Sequence, residues 1–231
     1  PEARAGSPAD PTAEPHEPEP EPPPYGPPVR EQTKSRSIAR TNRGWLRNGV
    51  RIEASDTVRV RHPGNAHGTQ ELVDLIEWGA AEVERQHPGS VLNVGDLSRR
   101  RGGRIRPHRS HRAGRDADLG FYLLDNDGQP AVPRHFVPLQ RSGKGGDRDG
   151  AYFFDDARNW SFVAALMDQD VVPVQYMMII SPLQERLLAE GVRQGASEAL
   201  VHRVREPVGP LSTGRWRRGN CGTHNSNSRT R

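Results

Sequence analysis

The sequence predicts an α+β domain with a largely antiparallel central sheet and flanking helices. Three observations carry that reading. Leu72, Val73, Leu75, Ile76, Ala80 and Val83 recur at helical spacing, and so do Leu183, Leu187, Leu188 and Val192. Between these stretches lie apolar runs of strand length, among them "SVLNVGDLS" and "VVPVQYMMIIS". The two kinds of segment are interspersed along the chain, which excludes an all-helical domain.

In chain order, Val58 and Val60 alternate with arginines and predict a strand. Thr69 is placed to N-cap a helix reaching Arg85, which Pro88-Gly89 would stop. "SVLNVGDLS" reads as a short buried strand with a turn at Gly95, and "DADLGFYLL" alternates into a strand ending near Leu124. "DNDG", from Asp125 to Gly128, is a turn. Residues 134–154 hold short strands around the glycine-rich, charged loop "RSGKGGDRDGA". "DDARNWSFVAALMDQ" predicts a helix capped by Asp155 or Asp156. "VVPVQYMMIIS", the most apolar run, predicts a central strand. Pro182 opens the next helix, and a further helical piece runs from Ser197 to about Arg205.

The ends differ from this middle. Residues 1–35 are read as a Pro/Glu-rich linker that cannot bury enough apolar surface to order itself, and residues 36–211 as the folded domain. Residues 212–231, "STGRWRRGNCGTHNSNSRTR", contain no Leu, Ile, Val, Met or Phe and form an irregular tail. The chain begins at Pro1 without an initiator methionine, as expected of a processed chain, a fragment or a partial gene product. No transmembrane segment and no signal segment is visible. The single cysteine, Cys221, excludes an internal disulfide framework and a CxxC-type zinc site. A net charge of +4 and a pI near 9.7 suit either nucleic acid or another anionic polymer, such as a cell wall.

The chemistry concentrates in "GGRIRPHRSHRAGRDADLGF", residues 102–121. His108, His111, Asp116 and Asp118 lie close together here among arginines. A hydrolytic zinc site takes three protein ligands, usually His and carboxylate, and keeps a position open. His111 and Asp118 would be two turns apart on a helix, but a loop entering a strand brings them together. Spacing alone leaves three readings open: a metal site, an Arg/His loop for phosphate, and a solvated surface. Asp116 and Asp118 would repel phosphate, so nucleic acid is not expected as a partner. His62, His67, His87, His135 and His202 are scattered and read as surface or structural residues. Trp45, Trp78 and Trp160 read as packing residues, with stacking on a sugar ring as the alternative for Trp45. Arg99–Arg101 reads as a solvated turn.

"VGDLSRRRGGRIRPHRSHRAGRDADLGFYL" resembles the penicillin-insensitive murein endopeptidase family. These are zinc peptidases related to lysostaphin-type and D-alanyl-D-alanine carboxypeptidase-type enzymes and to the hedgehog domain. The resemblance rests on Gly95 to Ser98, Gly102-Gly103, and His-x-Ser-His-x-x-Gly-x-Asp-x-Asp from His108 to Asp118. Weaker similarity runs from "TNRGWLRNG" to "VREPVGP", with "FDDARNW" and "SPLQERLL" as further landmarks. It implies a hedgehog-like or D-Ala-D-Ala-peptidase-like fold, Zn2+ as cofactor and peptidoglycan stem peptides as partner. It also implies hydrolysis of peptide cross-links and a periplasmic or otherwise extracytoplasmic location. His111 and Asp118 would bind the metal. His108 would be a further ligand or a residue that polarises substrate. Asp116 would structure the loop or, as the alternative, support the metal ligands from behind; Ser110 and Gly114 would shape the turn, and Arg99–Arg101 would attract stem-peptide carboxylates.

One family feature is missing. A His-x-His motif should follow "REPVGP" and supply the third ligand and a catalytic helper, yet the chain contains no His-x-His. His224 is the only histidine after Pro210. A reading-frame shift near Leu211 would account for the tail; a degenerate homologue or a ligand supplied in trans are the alternatives. Catalytic and substrate-binding residues therefore stay unassigned. The alternative function is a non-catalytic module holding cell-wall peptide on the same fold.

Overall fold

The computed structural model of the chain describes residues 25–29 and 33–205. Most of the expected linker, and the tail with Cys221 and His224, lie outside the described residues. The elements run β1 (Arg36–Ile38), β2 (Trp45–Arg47), β3 (Val50–Arg51), β4 (Val58–Val60), β5 (His67–Gly68), α1 (Gln70–Gln86) and β6 (Leu92–Val94). There follow β7 (Leu123–Leu124), β8 (Pro130–Ala131), β9 (Lys144–Asp147), β10 (Gly150–Phe154), α2 (Asp156–Asp168), α3 (Ser181–Arg193) and α4 (Glu198–Arg205). The domain is α+β, as expected. Its strands form four small sheets among the described residues rather than one central sheet. The largest is antiparallel, in the order β8-β7-β10-β9, while β4 and β6 pair in parallel with Val60 opposite Val94.

That parallel pair positions the site. Parallel neighbours need a crossover connection, and α1 lies within it. Thr69 caps α1 by accepting a hydrogen bond from the Leu72 N–H. Val73, Ile76, Ala80 and Val83 form one buried stripe of α1. The stripe packs with Val58, Leu92, Val94, Leu97, Phe162 and Leu166 in the main core. Gly79 lets α2 come close, since a Cβ there would lie 3.0 Å from both Leu166 and Phe162. The other side of α2 carries Trp160, Val163 and Met167 into a second core with Phe154, Leu183, Leu187 and Leu200. Val192, expected on the apolar face of α3, is instead exposed.

Asp155 is the cap of α2. It is buried, accepts from the Arg158 N–H at 3.0 Å and pairs with Arg158 Nη1 at 2.7 Å. Replacing Asp155 with alanine is expected to destabilise the domain by about 1–2 kcal/mol in a urea titration.

The predicted central strand over residues 171–180 does not form. No residue of that run belongs to a ladder, and Tyr176 and Met178 are 59% and 87% exposed. Pro173 has no N–H to donate. The Gln169 side chain takes over the local backbone groups, accepting from the Val171 and Val172 N–H groups and donating to the Val172 carbonyl. Val172, Val174, Met177 and Ile179 of the run pack against the cores without a strand's alternation. The strand expected to end near Leu124 is also shorter: β7 holds two residues, preceded by a single bridge between Leu119 and Val94.

Candidate metal centre

The segment Gly95–Ser98, immediately after β6, is the scaffold of the site. Its backbone is tied on both sides. Leu97 and Ser98 N–H groups donate to the Asn65 carbonyl, at 2.8 and 2.9 Å. On the other side Gly95 N–H donates to the Asp118 carbonyl at 2.8 Å, and Asp118 N–H to the Asp96 carbonyl at 2.9 Å. A Cβ on Gly95 would sit 2.8 Å from Phe136 and 3.1 Å from the Asp118 oxygen, so glycine permits the close approach.

His111 is set against the same segment. Its Nδ1 lies 2.9 Å from the Leu97 carbonyl oxygen. A carbonyl only accepts, so Nδ1 carries the proton and Nε2 is turned to the site. The backbone at His111 is left-handed, with φ of 59°. The Asp116 carboxylate accepts the His111 N–H at 3.2 Å and supports that conformation. Asp116 thus structures the loop, as expected. Gly114, at φ +70°, turns the chain back and offers its carbonyl to the Thr69 N–H.

The chain folds so that His108, His111 and Asp118 converge. One ligand atom from each lies within 4.8 Å of the others. His111 Nε2 is 3.2 Å from Asp118 Oδ1, and His108 Nε2 is 3.6 Å from Asp118 Oδ2. The two imidazole centroids are 4.6 Å apart. His111 is buried, which alone would disfavour the imidazolium; the Asp118 hydrogen bond and charge and the Leu97 carbonyl outweigh this and raise its pKa. A buried imidazole oriented through Nδ1 and facing a carboxylate is the donor arrangement that zinc takes. These residues fit the metal.

Asp96 and Asn65, which the sequence did not single out, adjoin the site together with His62, which it read as a surface or structural residue. Asp96 Oδ2 lies 3.0 Å from His108 Nε2, and its Oδ1 lies 2.8 Å from His62 Nδ1 and accepts from Asn65 Nδ2 at 3.0 Å. Burial would raise the Asp96 pKa, but the Asn65 and His62 hydrogen bonds and the His62 charge bring it below the usual value. A lowered carboxyl pKa contributes stability that is complete above the unfolded value, about 3.9, and is lost as pH falls through the folded value. Asp96→Ala is therefore expected to shrink the fall in thermal stability between about pH 4 and pH 2.

The remaining expected residues lie apart from the cluster. Asp156 pairs with Arg186, and His87 Nε2 contacts Ser161 Oγ at 2.9 Å. Trp160 is buried as packing, but Trp45 is 52% exposed and is not a core residue. Arg99–Arg101 is exposed.

Residues 38–135 match the family model of penicillin-insensitive murein endopeptidase. That is the family whose motif the sequence resembles. The matched segment contains every residue of the cluster and the Asp96 scaffold. The family's description is that of a murein endopeptidase. No curated protein matches the chain. No helix among the described residues is long and apolar enough to cross a membrane.

Proposed function

We propose that the chain is a zinc metallo-endopeptidase domain directed at the peptide cross-links of peptidoglycan, acting outside the cytoplasm. The convergence of His108, His111 and Asp118 inside the family-matched segment supports this reading most directly. His111 Nε2 and the Asp118 carboxylate would hold the ion. A bound zinc supplies Lewis acidity toward the scissile carbonyl and toward the attacking water. The protein orients the donors: Leu97 fixes the His111 ring, and the backbone bonds between Asp118 and Gly95–Asp96 fix the carboxylate. The exposed Arg99–Arg101 run offers positive charge to stem-peptide carboxylates.

A second reading has its own observation. The sequence lacks the His-x-His expected to complete the ligand set, so the same domain would hold wall peptide without cutting it. One experiment separates the two. The full chain is incubated with cross-linked muropeptide dimers, with added zinc and with chelator. Release of monomers in zinc but not in chelator supports the endopeptidase. Dimer binding that persists in chelator with no product supports the binding module. Neither cleavage nor binding contradicts both.

A further inference from the structure

We infer that the cleft between the open end of the β1–β2 hairpin and the Arg99–Arg101 turn is a second binding site, shaped for a peptide segment bearing two or more carboxylates. It shares no residue with the cluster of His108, His111 and Asp118. It rests on the wall-peptide reading only for the source of such a segment, and not at all on the metal.

Stretches of chain far apart in sequence build the cleft, and hydrogen bonds hold them together. Asn48, just past β2, donates from Nδ2 to the Lys34 carbonyl at 2.9 Å and closes the open end of the hairpin. The buried Ser35 hydroxyl accepts the Gln70 N–H at 2.8 Å, which ties the start of β1 to the start of α1. The Leu46 N–H donates to the Arg101 carbonyl at 3.1 Å and brings in the turn. Gly49 permits that approach, since a Cβ there would lie 3.0 Å from the Arg100 carbonyl oxygen. The resulting cavity measures about 720 Å³, within the roughly 300–1,000 Å³ of ligand sites.

Lys34, Arg100 and Arg101 line this cavity, and all three are exposed. Among the described residues no carboxylate lines it, and none of the three cations has an ion-pair partner. Like charges around one cavity repel, and a ligand with a single carboxylate would offset that only in part. The lining also holds acceptors. Asn48 commits its amide nitrogen to the Lys34 carbonyl, and Gln70 commits its own to Asp74 Oδ1 at 2.9 Å. Each amide oxygen is left as an acceptor without a protein donor among the described residues. Acceptors set among cations call for a ligand with N–H donors beside its anionic groups. An acidic peptide supplies both, and arginine forks match its carboxylates. A fully ionised phosphate group supplies acceptors only.

Isothermal titration of the full chain tests the assignment, with metal removed on a chelating resin and sodium chloride at about 50 mM to limit screening. The probes are acetylated triglutamate, its C-terminally amidated triglutamine counterpart and inorganic phosphate. The expected results are saturable binding of triglutamate, no binding of triglutamine, and phosphate weaker by about tenfold or more. Lys34→Ala and Arg100→Ala should each weaken triglutamate about three- to tenfold, with melts unchanged. Arg148→Ala, which removes an exposed cation from the β9–β10 turn, should leave the affinity as it was. No triglutamate binding overturns the proposal, as does binding indifferent to Lys34 and Arg100, or weakened equally by Arg148→Ala. Phosphate binding as tightly as triglutamate overturns the peptide assignment and leaves an unselective oxyanion site. Cleavage of muropeptide dimers is read separately, so the endopeptidase reading can fail there while this binding stands, and the reverse.

Discussion

Replacing His111 with alanine is expected to lower zinc affinity by more than about 100-fold, beyond the 10–100-fold typical of residues that only support a ligand. The effect is large because His111, its ring fixed through Nδ1, turns Nε2 to the Asp118 carboxylate at 3.2 Å. The fold should survive. The side chain gives up its contacts to the Leu97 carbonyl and the Asp118 carboxylate, the first worth about 1–2 kcal/mol. The left-handed backbone at this position adds strain for alanine, so His111→Asn is the cleaner companion, asparagine being tolerated at positive φ. Zinc titration calorimetry beside a thermal melt reads the two effects separately. Affinity lost with a cooperative melt retained, lowered by only about 2–8 °C, is the expected pattern for both variants.

Gly102→Val is expected to be the most damaging single change in the loop. Gly102 has φ of +75°, and a Cβ there would lie 2.2 Å from the Arg112 carbonyl oxygen and 2.6 Å from the Leu46 nitrogen. Both are backbone atoms, so no side chain can rotate away. Strain and overlap together should cost roughly 2–4 kcal/mol, a fall of roughly 5–15 °C in the melting temperature. Arg112 adjoins His111, so zinc binding should weaken as well. Gly103 is the control. Its φ is +88°, but a Cβ there meets nothing within 4 Å. Gly103→Ala should cost only about 1 kcal/mol, and differential scanning calorimetry of the pair separates crowding from dihedral strain.

What was legible in the sequence was local. The Thr69 cap and the Val73, Ile76, Ala80, Val83 stripe define α1 within one stretch, and the structure follows them. Asp155 capping α2 is a signal of the same kind. The run at residues 171–180 failed because strand character depends on a partner that hydrophobicity does not specify. Here Pro173 and the Gln169 side chain took the backbone groups instead. The cluster of His108, His111 and Asp118 was legible because it spans eleven residues of a dense motif. The scaffold beneath it was not. His62 and Asp96 are 34 positions apart, and only the parallel register of β4 and β6 sets them together. Asp96 sat in a recognised landmark, yet nothing local indicated that its carboxylate would span His62 and His108.

On the proposed reading, His111 and Asp118 form the metal-binding core of a murein endopeptidase-like domain. Zinc content measures it most directly: the purified full chain, His111→Ala and Asp118→Ala are each equilibrated with zinc, freed of excess by gel filtration and analysed for bound metal. The expected result is zinc on the unmodified chain and loss of it in both variants, each still melting cooperatively. Equal zinc in all three, or none retained by the unmodified chain, would contradict it.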